Sequence, residues 1–264
     1  MGLADATAVE RTGESSWRGA IEGGWDIAGN ANGGYLLTIA TRALVEAAGR
    51  PDPATVTAHF LAPGQPGPVT LEATMARSGR RFTTATGLLR DERRPLLAVL
   101  GSFTELAAAE GPERVDGRPP DLPPPEDCVA VEATDSFPPP FMGRVDLRLH
   151  PEDAGFRTGA PSGEPLVRGW FRLRDDEPVD TVALLLAADA FPPTIFNARL
   201  PVAWTPTLEL TVHVRARPAP GWLRCTFRTR YVSEGFLEED GEVWDPTGRL
   251  VAQSRQLALV PRQG

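Results

Sequence analysis

Residues 55–67 read "TVTAHFLAPGQPG" and residues 209–221 read "ELTVHVRARPAPG". Aligned 154 positions apart, Thr57, His59, Ala62, Pro66 and Gly67 meet Thr211, His213, Ala216, Pro220 and Gly221. Held without a gap, the same offset pairs Phe82 with Phe236, Gly87 with Gly241, Asp91 with Asp245 and Ala98 with Ala252. A match this regular reads as an internal duplication, so the chain is expected to hold two copies of one unit.

Each copy shows the same order of elements. In the first, Asn32 stands as an N-cap before "GGYLLTIATRALVEAAG", where Leu37, Ala40, Leu44 and Ala47 share a helical face and Gly49 closes the end. Segments 54–63, 68–78, 81–90 and 95–106 follow with the β-branched alternation and the Gly, Pro or charged breaks of antiparallel strands. In the second copy "DEPVDTVALLLAADA", residues 176–190, reads as the helix, entered at Pro178, and segments 207–217, 221–233, 236–245 and 249–260 read as strands. The expected class is α+β, each half one long helix packed on a curved antiparallel sheet. A helix on one small sheet leaves a flank uncovered, so the two sheets should join edge to edge.

Between the copies, residues 107–140 carry nine prolines and short acidic clusters, which sets expected boundaries of 1–110, a Pro-rich linker 111–140, and 141–264. Extended polyproline chain advances ~3.1 Å per residue, enough for such a segment to cross a domain. The 264 residues suffice for two small cores, and a net charge of −8 without a basic cluster argues against a nucleic-acid partner. The amino terminus lacks a cationic and apolar leader, and no run approaches the ~20 apolar residues of a membrane span. These features predict a cytoplasmic chain with no membrane partner. Cys128 and Cys225 are too few for a metal knuckle or a disulfide framework and read as free thiols, so no metal site is expected.

The usual serine-hydrolase, zincin, P-loop and dinucleotide motifs are absent, and covalent catalysis is not expected. His59 and His213 share one repeat position, which suits a duplicated structural role, and His150 beside Pro151 carries no signal. The residue that stands out is Asp189, in "VALLLAADAFPP" at 182–193. With Val182, Leu185 and Leu186 it is spaced so that the carboxylate shares the packing face, and a negative charge in the last turn opposes the helix dipole. It is either a cap where the helix stops before Pro192 or a functional carboxylate. Gly33 and Gly34 likewise either satisfy a tight turn or let a substrate approach the backbone.

"NANGGYLLTIATRAL", "TAHFLAPGQPG" and "ARSGRRF" in the first half, with "AADAFPP", "TLELTVHVRARP" and "LVAQSRQ" in the second, resemble the double hot-dog acyl-CoA thioesterases of the thioesterase II type. The likeness spans nearly the whole chain outside the linker and the first dozen residues. It implies a tandem hot-dog fold and hydrolysis of an acyl-CoA substrate to free acid and coenzyme A, with no cofactor. In that family an Asp at the end of the second-half helix, a Thr opening the next strand and a Gln in the last strand hold the hydrolytic water. The matching positions here are Asp189, Thr207 and Gln256. Asp189 would be an ionised base buried where the halves meet, and the backbone at Gly33 and Gly34, behind Asn32, would bind the substrate oxyanion. At the 154 offset Thr207 and Gln256 fall opposite Pro53 and Ser102, so one half alone keeps these side chains. The chain departs from the family in having Glu209 and Leu210 where a histidine often follows, and Ala62 in place of an arginine. Arg80 and Arg81 either decorate a hairpin tip or meet coenzyme A phosphates. Two rivals stay open: a hot-dog hydratase or dehydratase, which calls for a paired His and acid near one helix, and a non-catalytic acyl-CoA binding protein. A homodimer through exposed sheet edges or faces is also left open.

Overall fold

Asn32 accepts the Tyr35 N–H at 2.9 Å and so caps α2 (Gly33–Ala48), which Gly49 ends in the left-handed region at φ 60°. The computed structural model describes residues 1–134 and 139–260. Before α2 come a short helix, α1 (Leu3–Ala6), two strands, β1 (Glu10–Arg11) and β2 (Ser16–Ile21), and a small hairpin of β3 (Asp26–Ile27) with β4 (Asn30–Ala31). After it run β5 (Asp52–Phe60), β6 (Gly67–Ser78), β7 (Thr83–Arg90) and β8 (Pro95–Thr104). The second half contains β9 (Val129–Ala130), β10 (Val145–Leu149), β11 (Leu166–Leu173), α3 (Ala183–Ala187), β12 (Thr207–Val214), β13 (Leu223–Arg228), β14 (Val232–Ser233), β15 (Phe236–Trp244) and β16 (Leu250–Leu259).

The strands form one antiparallel sheet in the order β1-β2-β6-β7-β8-β5-β12-β16-β15-β13-β11-β10-β9, with β14 attached to β15. The seam is β5 against β12, so the two sheets do join edge to edge. Residues of α2 from Gly34 to Thr41 are buried without interruption, and the helix lies deep in the core rather than on one flank.

The duplication is visible in the pairing registers. Ala73 lies opposite Gly87 on β6 and β7, and 154 residues later Phe227 lies opposite Gly241 on β13 and β15. The last strand slips by one: Thr57 faces Leu100, whereas Thr211 faces Arg255, because the turn from Trp244 to Leu250 holds one more residue than the turn from Arg90 to Pro95. The counterpart of Gln256 is therefore Gly101 and not Ser102, and Ala98 with Ala252 is not a structural match. Thr207 remains opposite Pro53, each just before a bulge at the same place in its strand.

The second half departs from the expected long helix. Helix α3 has only five residues. The Asp180 carboxylate accepts the N–H groups of Val182 and Ala183, which starts the coil after Asp180 rather than at Pro178, and Pro192 and Pro193 stop it a few residues later. So short a coil persists because Leu184, Leu185 and Leu186 are fully buried, tertiary packing replacing helix length.

The expected linker also does more than cross the surface, as far as the described residues show; residues 135–138 lie outside them. Residues 111–118 are exposed, but the Pro123 carbonyl accepts the Trp170 indole N–H at 2.8 Å and β9 pairs with β10. Trp170 and Trp244, on the outward face of the sheet, are only 9% and 2% exposed beneath this strap.

Candidate active site

Asp189 follows α3 by two residues, and its carboxylate points at the start of α2. Its Oδ2 accepts the Gly34 N–H at 2.6 Å and the Asn32 Nδ2–H at 3.2 Å, while its carbonyl accepts the same Asn32 amide at 3.0 Å. A charge that is unfavourable at the end of its own helix is thus met by the positive end of another. The two glycines serve closeness and not a turn. A Cβ on Gly33 would lie 2.9 Å from the Phe60 ring and 3.0 Å from Asp189 Oδ2, and one on Gly34 would lie 2.8 Å from Asp189 Cβ and 2.9 Å from the Leu185 carbonyl. Gly34, expected among the substrate-binding amides, has its N–H committed to Asp189. Among the described residues no acceptor takes the Gly33 N–H.

On the sheet side, the Thr207 hydroxyl donates to Gln256 Oε1 at 2.9 Å, and Gln256 Nε2 donates to Glu239 Oε1 at 2.9 Å. Glu239 Oε2 accepts the Thr194 N–H at 2.8 Å, and the Thr194 hydroxyl meets that of Thr229 at 2.7 Å. Asn32, Gly33, Asp189, Thr207, Glu239 and Gln256 all line one cavity of about 510 Å³. Apolar walls from Leu36, Phe60, Met142, Phe191, Phe196 and Trp204 make up much of the rest. That is the size and character of a small-molecule site.

Burial raises the Asp189 carboxyl to about 7, the Gly34 and Asn32 donors opposing the rise and the charge of Glu239 adding to it. The expected plainly ionised Asp189 is thereby corrected: near neutral pH it carries its proton part of the time. Burial also pushes Glu239 up, against donors from Thr194 and Gln256. Glu239 escaped the reading of the sequence, although it falls in the inward phase of β15 with Leu237, Gly241 and Val243, where an acid is as anomalous as Asp189. His59 and His213 are exposed on the strands at the seam, and His150 caps a 3-10 turn through its ring. Arg80 lies beside Arg50 at the far end of α2, which is ~24 Å of helix away from Gly33. A hairpin tip accounts for both arginines. Among the described residues no three His, Cys, Asp or Glu side chains converge at metal-ligand range.

Models of the acyl-CoA thioesterase N-terminal and C-terminal domains match residues 21–104 and 125–260. The chain belongs to the acyl-CoA thioesterase family. An uncharacterised protein of Mycobacterium tuberculosis is 30% identical to this family member over 94% of the chain and 91% of its own length. A candidate thioesterase II from Thermobifida fusca is 34% identical, with a TM-score of 0.89 over 98% of this chain and 97% of that one. Acyl-CoA thioesterase II TesB2 of Mycobacterium marinum shares the fold at 20% identity, with a TM-score of 0.73 over 100% and 99% of the two chains. This thioesterase-family chain is therefore a hot-dog protein of the thioesterase II type.

Proposed function

We propose that this protein hydrolyses acyl-CoA thioesters to a free acid and coenzyme A, with Asp189 as general base. The observation that carries the reading is the convergence of Asp189, Thr207 and Gln256, from three separate segments, on one cavity at the start of α2. A water held between Asp189 and Thr207 attacks the thioester carbonyl carbon while its proton passes to Asp189, and the C–S bond then breaks to release a thiolate. Gln256 acts on that water through Thr207, whose hydroxyl it receives. The Gly33 N–H, at the positive end of α2 and without an acceptor among the described residues, receives the developing oxyanion, a role worth roughly 3–4 kcal/mol for one good donor.

The chemistry suits these groups. A thiolate with a pKa near ~8.5 leaves without a general acid, and a base near neutrality is well matched to the task. The apolar walls would take the acyl chain. A hydratase or dehydratase would need a histidine beside the acid, and no histidine is among the described residues lining the cavity.

The test is thiol release from palmitoyl-, octanoyl- and acetyl-coenzyme A by the parent and by Asp189→Asn. Turnover on at least one thioester, falling roughly 10²- to 10⁴-fold in the variant with little change in KM, is expected. Parental turnover by a folded Asp189→Asn protein overturns the assignment of the base.

A further inference from the structure

Glu239 is 5% exposed, lines the same cavity as Asp189, and holds Gln256. We propose that Glu239 is a positioning residue that sets the direction of the hydrogen-bond chain to Thr207, and so makes the Thr207 oxygen an acceptor toward the hydrolytic water. This rests on the thioesterase reading above.

The direction follows from what each group can do. Glu239 receives the Thr194 backbone N–H on Oε2 and the Gln256 amide N–H on Oε1, so both carboxyl oxygens serve as acceptors. Gln256 must therefore turn its NH₂ toward Glu239 Oε1, which leaves its carbonyl toward Thr207. The single hydroxyl proton of Thr207 is then committed to Gln256, and only its lone pairs face anything else. A water between Thr207 and Asp189 gives one hydrogen to each, and its own lone pair is free for the carbonyl carbon. If the chain ran the other way, Thr207 would donate to the water, occupying one of its two lone pairs and weakening it as a nucleophile.

The first half has none of this. At the repeat positions of Glu239, Gln256 and Thr207 stand Ala85, Gly101 and Pro53, and Ala85 is fully buried. The sheet does not need an acid at this position in order to pack.

Glu239→Gln reverses the chain with little change of shape. The Thr194 N–H is fixed by the backbone and claims the new amide oxygen, so the new NH₂ faces Gln256 and turns it over. The expected result is kcat lower by about 10- to 100-fold, the scale of an outer hydrogen-bond partner, with KM little changed. The acid limb of kcat/KM should also move to lower pH, because a negative charge beside Asp189 is gone. The ionisable side chains among the described cavity residues are Asp189, Glu239 and Arg157, and Arg157 is turned to the Ala130 carbonyl. Glu238, on the opposite face of β15, binds the Arg230 and Tyr231 amides and is common to every variant. The exchange Glu239→Gln with Gln256→Glu restores an acceptor opposite Thr207 and should recover part of the lost kcat.

The experiment measures thiol release from octanoyl- and palmitoyl-coenzyme A across pH for the parent, E239Q, the exchanged pair and D189N, with thermal melts of each. A folded E239Q with parental kcat and parental pH profile overturns the proposal. So does a slow E239Q whose acid limb is unmoved and which the exchange does not improve, the pattern of ordinary packing damage. Parental turnover by D189N strikes the assigned base instead. If no thioester is turned over, the pH dependence of melting still reads the coupling: E239Q should lower the pH at which the Asp189-dependent loss of stability levels off, and an unmoved dependence overturns the proposal.

Discussion

Thr57 and Thr211 face each other across the seam between β5 and β12, their hydroxyl oxygens 2.8 Å apart, and they are the same position of the two repeats. On either side Thr55 pairs with His213 and His59 with Glu209, a pattern unchanged when the two copies are exchanged. That is the signature of an isologous contact, here between two units of one chain rather than two subunits. The polar chain in the cavity breaks the symmetry, since one copy alone carries it.

The seam has a polar anchor in Asp52, which is 1% exposed. Its carboxylate accepts the Thr181 hydroxyl and the Leu106 N–H, each at 2.9 Å, and the Arg217 guanidinium at 3.0 Å, tying the first half to the second. Asp52→Ala strands buried donors and is expected to cost about 2–4 kcal/mol of stability. Because Asp52 does not line the cavity, kcat should stay near the parental value at temperatures where the variant is folded. Denaturant unfolding together with thiol release checks both.

Asp189 makes a different prediction. Its folded pKa, raised by burial to about 7, lies above the ordinary 3.8, so the folded protein holds this proton more tightly than the unfolded chain. Native stability therefore falls as pH climbs from the lower value through the upper one. Asp189→Asn lacks the group. Its advantage in stability over the parent should widen by about 2–3 kcal/mol between about pH 5 and about pH 8, measured by denaturant unfolding at each pH. A constant difference would mean that Asp189 is not held near neutrality.

Most of the sheet was legible because the pattern that marks a strand is local. The eight strands from β5 to β8 and from β12 to β16, β14 aside, were all expected within a few residues. Strands β10 and β11 were not, although Val145, Leu147 and Leu149 alternate with Asp146 and Arg148; the charges on their outward face read as loop, and they pair only in the fold, Arg148 and Arg172 with Asp146 and Arg168 with Asp153. The length of α3 was misread because Pro178 reads as its entry: the apolar run 182–188 says helix, and the local start signal is the Asp180 carboxylate two residues later. Asp189 could be singled out from spacing alone. Its partners could not, because Asn32 and Gly34 are more than 150 residues away and meet it only through the packing of α2 on α3.

Gly34 tests that packing. Alanine is preferred over glycine in a helix by about 1 kcal/mol, which alone would make Gly34→Ala stabilising. The added Cβ would lie 2.9 Å from the Leu185 carbonyl, a backbone atom that cannot rotate away, and overpacking of this kind costs about 1–3 kcal/mol. The clash should win or nearly cancel the gain. Since the same Cβ meets Asp189, turnover should fall by more than stability does. A variant with raised stability and full activity would show that the α2–α3 contact yields easily.

The Pro-rich strap supplies the last prediction. Residues 111–116 are exposed, so removing a few of them changes only a loop length, and that cost grows slowly. The run 117–127 is different. It carries the Pro123 carbonyl that receives the Trp170 indole, and at Gly117 it lies against the Trp244 ring. Shortening it uncovers two indoles, each worth roughly 1.5–3 kcal/mol when fully exposed, and leaves the Trp170 N–H to water. The change should also reach the cavity, because Val131 lines it and is held in place by its N–H to the Leu147 carbonyl at 3.0 Å. Deletion within 111–116 is thus expected to leave melting and thiol release close to parental, and deletion within 117–127 to lower the melting temperature and raise KM. Equal behaviour of the two deletions would reduce the strap to a simple connector.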